Sequence, residues 1–141
     1  MITDEQETEL IERARQNQPN AYAPYSKYKV GVALLGEKGI YDGVNVEMVI
    51  HRATHGERMA IDNGVFAGER RFLAVAVVTD DPNNPYPCGQ CRQDLAEFDD
   101  GTGFLEIIAA NLQGEIKRTT LDKLLPDRFG PFNLGIDITK Y

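Results

Sequence analysis

The chain has 141 residues, of which 42% are apolar and 26% charged, with a formal net charge of −7. That length suits one domain (residues 1–141) able to bury roughly two-thirds of the surface its unfolded chain exposes. The longest apolar run, Phe72 to Val78, is too short to span a membrane, and the negative charge without a basic stripe argues against a polynucleotide partner. A small, nearly neutral substrate fits this balance. The acidic opening Met1-Ile2-Thr3-Asp4-Glu5-Gln6-Glu7 is unlike a signal peptide, and the two Cys residues stand in one motif, so a reducing cytoplasm is expected.

Residues 4–16 read as a helix with Leu10, Ile11 and Ala14 on one face, acids early and Arg13 and Arg15 late, as the helix dipole favours. Pro19 and Asn20 end it, and 21–26 is an aromatic loop whose Tyr22 and Tyr25 are expected to pack inward. Lys29 to Leu35 and Ile40 to Val46 read as a hairpin around Glu37-Lys38-Gly39. Asn45 and Glu47 emerge at its end, as polar residues that could grip a sugar hydroxyl or simply line an exposed loop.

A helix is expected from His55 to Phe66, with Met59, Ala60 and Val65 buried and Gly64 weakening its end. Phe72 to Thr79 reads as a strand buried on both faces, followed by a turn-rich loop from Asp80 to Tyr86. A second helix starts at Cys88 and runs to Phe98. Phe104 to Asn111 and Glu115 to Thr119 form another hairpin, Leu121 to Leu125 a helical turn, and residues 126–141 close the chain. Alternating helices and strands in this order imply a sheet covered on both faces.

Two segments carry the chemistry: His55-Gly56-Glu57-Arg58 and Pro87-Cys88-Gly89-Gln90-Cys91-Arg92. They supply an imidazole and two thiols, all placed at helix starts, where thiolates and carboxylates are favoured. Zinc prefers nitrogen and sulfur, and a catalytic zinc keeps three protein ligands and one open position. His55, Cys88 and Cys91 fill three corners, and Glu57 falls beside the metal as a proton carrier. A redox C-x-x-C pair is one alternative. A structural zinc site is another, and it would need both His51 and His55 as ligands. Three ligands with an open corner and an acid beside them favour a catalytic zinc.

The signature H-x-E followed by P-C-x-x-C is that of zinc deaminases, and the chain resembles the small zinc-dependent cytidine deaminases over nearly its whole length. The likeness runs through Ala21 to Gly31, Gly43-Val44-Asn45-Val46-Glu47, both ligand segments, and Leu124 to Pro131. It implies an α/β fold of three layers, α/β/α, with a mixed five-stranded sheet. It also implies Zn²⁺-dependent hydrolysis of cytidine or deoxycytidine to uridine or deoxyuridine and ammonia, in pyrimidine salvage. By the same resemblance Asn45 and Glu47 hold the ribose, Tyr28 (usually Phe in this family) packs on the nucleoside, and Gly56 offers its amide to the base. Phe129 from a neighbouring subunit closes the pocket of a homotetramer, and Arg58 orients a thiolate from outside the ligand set. The chain departs from the family pattern in having His55 where most short members have Cys, a segment between Glu47 and Glu57 one residue shorter, and Met48 in place of Asn. Deamination of another aminopyrimidine nucleoside, such as a nucleoside antibiotic, and a non-catalytic zinc scaffold are the rival readings.

Overall fold

The computed structural model describes residues 1–141. Helix α1 spans Asp4–Asn17 and opens with a reciprocal cap. Gln6 N–H donates to Thr3 Oγ1 at 3.1 Å and Thr3 N–H to Gln6 Oε1 at 2.9 Å, satisfying two amides that a helix start leaves free. A 3-10 turn at Gln18–Asn20 follows.

Five strands form the main sheet: β1 (Val30–Gly36), β2 (Ile40–Val44), β5 (Phe72–Thr79), β6 (Glu106–Asn111) and β7 (Ile116–Thr120), in the order β2-β1-β5-β6-β7. β5 and β6 run parallel and every other pair is antiparallel, so the sheet is mixed, as expected. Two short strands, β3 (Val46–Met48) and β4 (Arg52–Thr54), pair separately beside the site. Helices α2 (Gly56–Phe66) and α3 (Gly89–Ala96), and the single turn α4 (Leu121–Leu124), complete the regular structure. No helix is long and apolar enough to cross a membrane.

Strand alternation sorts the core into two layers. Val32 and Leu34 of β1, Val75 and Val77 of β5 and Ile107 of β6 pack with Ala60, Ile61, Leu95 and Ala96 of α2 and α3. The opposite face, Ala33, Leu35, Ala74, Ala76, Val78, Ile108 and Ala110, takes Leu10, Ile11 and Ala14 of α1. The sheet is therefore covered on both sides, and the three-layer expectation holds.

Two glycines mark where the layers touch. A Cβ on Gly31 would lie 2.1 Å from the Ala14 carbonyl oxygen of α1, and one on Gly43 would lie 2.0 Å from the Gly56 carbonyl oxygen at the start of α2. The second contact lets β2 support the helix start that carries His55 and Glu57.

The structure departs from the sequence expectations at four places. Tyr22 and Tyr25 do not pack inward; they are 54% and 56% exposed. Their backbone is committed instead, with Tyr22 paired to Val46. On α2, Ile61 and Gly64 are buried together with Ala60, while Met59 and Val65 are only half-buried. The helix begun at Cys88 ends at Ala96, short of Phe98, and β6 starts at Glu106, leaving Phe104 exposed.

Candidate metal centre

Both ligand segments sit at helix N-caps. His55 caps α2 and Cys88 caps α3, each with extended backbone, and Cys91 stands in the first turn of α3. Three ligand atoms thereby converge. His55 Nδ1 is 3.2 Å from Cys91 Sγ and 3.4 Å from Cys88 Sγ, and the two sulfurs are 3.4 Å apart.

Tetrahedral zinc with ordinary Zn–S and Zn–N bond lengths sets ligand atoms about 3.5–3.8 Å apart. The triangle is close to that size, and it assigns Nδ1 as the imidazole nitrogen facing the thiols. Both cysteines are free, with sulfurs too far apart for a bond.

His51 is not part of this cluster. It sits at the β3–β4 turn with φ +60°, donates its amide to the Met48 carbonyl at 3.1 Å, and is exposed. The structural-zinc alternative therefore lacks its fourth protein ligand. The charge pattern also calls for a cation. Burial first and the Glu57 carboxylate second push the Cys91 thiol up, and a dication held by these ligands would favour the thiolate there.

Glu57 is 5% exposed. Burial pushes its carboxyl above the usual range, against the opposing pull of its own backbone amide, the Cys91 thiol and His55. A carboxyl raised by burial beside a metal triangle is suited to accept and release a proton.

These groups form one end of a cavity of about 380 Å³ beside the carboxyl end of β5, which also takes in Tyr28, Asn45, Glu47 and Gly56. That volume lies in the range of small-molecule sites. Five of the residues singled out from sequence, Glu57 with Tyr28, Asn45, Glu47 and Gly56, thus meet the metal triangle in one space. Asn45 Nδ2 donates to the Tyr28 carbonyl at 2.7 Å and its Oδ1 accepts from Val30 N–H at 2.8 Å. Glu47 Oε1 accepts from the amides of Tyr25 and Ser26 at 3.3 and 3.2 Å. Each side chain keeps one function in hand: the second Nδ2 hydrogen of Asn45 and the Oε2 of Glu47.

Two residues lie outside this cavity. Phe129 is 61% exposed and does not line it within one chain. Arg58 donates to Asp62 at 2.9 Å and lies 3.6 Å from Asp94 of α3; its hydrogen bonds reach no sulfur. Sequence reasoning missed Thr79, Pro85 and Tyr86, which also line the cavity. The strand ending at Thr79 and the Pro-rich approach to Cys88 were the available signals.

Residues 4–105 match the family model described as "Cytidine and deoxycytidylate deaminase zinc-binding region". The chain is 43% identical over 128 residues to a cytidine deaminase of Sporosarcina psychrophila, covering 89% of this chain and 93% of that one. It is 38% identical over 122 residues to a cytidine deaminase of Halalkalibacterium halodurans, covering 85% and 91%. Among solved structures, the cytidine deaminase of Burkholderia pseudomallei superposes with a TM-score of 0.81 at 39% identity, covering 91% of this chain and all of that one. A cytidine deaminase of Mycobacterium tuberculosis gives 0.76 at 34% identity, covering 92% and 99%.

Proposed function

The chain belongs to the cytidine and deoxycytidylate deaminase family, and from that premise we propose that it hydrolyses cytidine or deoxycytidine to the uridine form and ammonia. The observation that carries this reading is the placement of Glu57, buried with a raised carboxyl, in the same cavity as His55, Cys88 and Cys91. The cofactor is Zn²⁺, which His55 Nδ1, Cys88 Sγ and Cys91 Sγ would hold. Bound there, it supplies the Lewis acidity that lowers the pKa of water from about 15.7 to about 7.

Glu57 performs the proton transfers. Its carboxylate takes a proton from the attacking water and gives it to N3 of the pyrimidine as oxygen adds at C4. It then carries the proton of the added hydroxyl to the amine as C4=O forms and the C4–N bond breaks, so that one water is consumed and one ammonia released. The Gly56 amide is among those left free by the first turn of α2 and faces the base. Asn45 and Glu47 take ribose hydroxyls with the functions they hold in reserve, and the Tyr28 ring walls the base. Arg58 acts at a distance, tying α2 to α3 through Asp94 so that the two ligand-bearing helix starts keep their spacing.

The family description covers both nucleosides and deoxycytidylate, and the cavity favours the nucleoside. None of its lining residues is Lys or Arg, whereas Glu47 and Glu57 both line it. A 5′-phosphate would find no cationic partner of the kind that phosphate recognition uses. Incubating zinc-loaded protein with cytidine, deoxycytidine, cytosine, deoxycytidylate and adenosine, and following ultraviolet absorbance, tests this. Turnover of the first two alone is expected; exclusive turnover of deoxycytidylate or adenosine would overturn the substrate assignment, and no turnover at all would support the scaffold reading.

The active form is a homotetramer of a cytoplasmic salvage enzyme in this reading. Support comes from the exposed Val49 and Ile50 at the β3–β4 tip and from Phe129, which stands free to complete a neighbour's cavity. Light scattering at four times the chain mass is the expected result, and a monomer that turns over at full rate would refute the assembly.

A further inference from the structure

Tyr28, which lines the cavity, and Asp81, outside it, come from segments far apart in sequence and meet side chain to side chain: the Tyr28 hydroxyl donates to Asp81 Oδ2 at 3.0 Å. We infer that Asp81 is a positioning residue for the nucleoside: through that hydroxyl it fixes the Tyr28 ring as a wall of the cavity. The inference rests on the nucleoside reading of the site.

Both ends of the bond are built to make it. On the aromatic side, Lys27 adopts φ +61°, a left-handed turn that aims the following residue. Tyr28 N–H donates to Ser26 Oγ at 3.1 Å, and the Tyr28 carbonyl accepts from Asn45 at 2.7 Å. The backbone is thus anchored, but the ring, which is half exposed, would still be free to swing.

Asp81 supplies the missing restraint. Its Oδ1 accepts from Asn83 N–H at 2.8 Å and its own N–H donates to Thr79 Oγ1 at 3.3 Å. Its carbonyl accepts from Asn84 N–H at 3.0 Å and from Asn111 Nδ2 at 3.4 Å. With the rest of the residue committed, Oδ2 has Tyr28 as its hydrogen-bond partner. A phenylalanine at position 28 could pack equally well but could not be held from Asp81.

Ordering a mobile side chain on binding costs roughly 0.5–1.5 kcal/mol. A ring already fixed in the free protein spares the substrate that cost, so the effect belongs in KM more than in kcat. The test is steady-state kinetics on cytidine with zinc-loaded wild type, Tyr28→Phe, Asp81→Asn and the double variant. Asparagine is chosen because its side-chain oxygen still accepts from Asn83 N–H and keeps the loop. Each single variant is expected to raise KM about two- to tenfold, to change kcat by less, and to hold the same zinc. The double variant should be no worse than the worse single one, since both changes remove the same charge-assisted bond from the hydroxyl to the carboxylate.

Additive losses would overturn the inference. So would an Asp81→Asn variant that loses zinc or kcat while Tyr28→Phe is silent, because Asp81 would then only support the loop leading to Cys88. Wild-type protein inactive on cytidine is instead a failure of the functional reading, and the clamp is then decided by ultraviolet titration of tyrosine. The signal that Tyr28→Phe removes should titrate at lower pH in the Asp81→Asn background. An unmoved signal would overturn the clamp.

Discussion

Glu57 and Glu69 are both sealed from solvent, at 5% and 1% exposure, yet their carboxyls are held on opposite sides of the ordinary range. Burial opposes charge on each. Around Glu69 that pressure is overcome by donors: the amides of Lys38 at 2.7 Å, Arg70 at 3.1 Å and Arg71 at 3.3 Å, and the Tyr41 hydroxyl at 3.3 Å. Its pKa is lowered despite burial. Glu57 lacks such a cradle and its pKa is raised. The same side chain is thus a structural clamp where donors satisfy its lone pairs and, in the proposed mechanism, a proton carrier where they do not.

Exchanging each carboxylate for its amide breaks the comparison most sharply. Glu57→Gln should keep zinc and fold while kcat falls by about 100- to 10,000-fold, the usual worth of positioned proton transfer; near-normal turnover would remove Glu57 from the mechanism. Glu69→Gln should leave turnover within a small factor and lower stability by about 1–3 kcal/mol, because an NH₂ then faces buried donors. Urea unfolding of the zinc-loaded protein reads this, and a loss of activity without a loss of stability would contradict it.

Acid sharpens the contrast further. A carboxylate whose folded pKa lies below its unfolded value adds stability that is fully present above the unfolded pKa of about 4.5 and fades as pH falls through the folded one. The stability gap between wild type and Glu69→Gln should therefore be constant at neutral pH and shrink below about pH 4.5. A gap unchanged down to the acid transition would mean that the carboxylate is not the active element. The smallest effect is expected at Arg58, whose partners Asp62 and Asp94 lie at a partly exposed position. Arg58→Gln should cost no more than about 1 kcal/mol of stability and weaken zinc retention slightly. A zinc affinity identical to wild type would confine Arg58 to the surface.

The two glutamates also differ in how far they could be read in advance. Glu57 was legible because its neighbours His55, Cys88 and Cys91 have a spacing that zinc chemistry demands, and the two helix starts that hold them follow from the same segments. Glu69 sits in Glu69-Arg70-Arg71, which looks like a solvated charge cluster; the donors that bury it come from a turn some thirty residues earlier and from the following backbone. Local pattern also failed at β3 and β4. Val46–Met48 and Arg52–Thr54 are three residues each, and the apolar Val49 and Ile50 between them are exposed rather than buried. Their turn is closed by His51 at φ +60°, without the glycine that normally advertises such a conformation. The main sheet posed no such difficulty, since the apolar run of β5 and the hairpins beside it carry the signal within each segment.

Zinc stoichiometry followed together with turnover tests the central claim most directly. The expected result is one zinc per chain, with activity on cytidine lost on chelation and restored by Zn²⁺ alone, while Cys91→Ala neither holds the metal nor turns over. A folded, metal-free preparation that deaminates cytidine at the full rate would contradict the account.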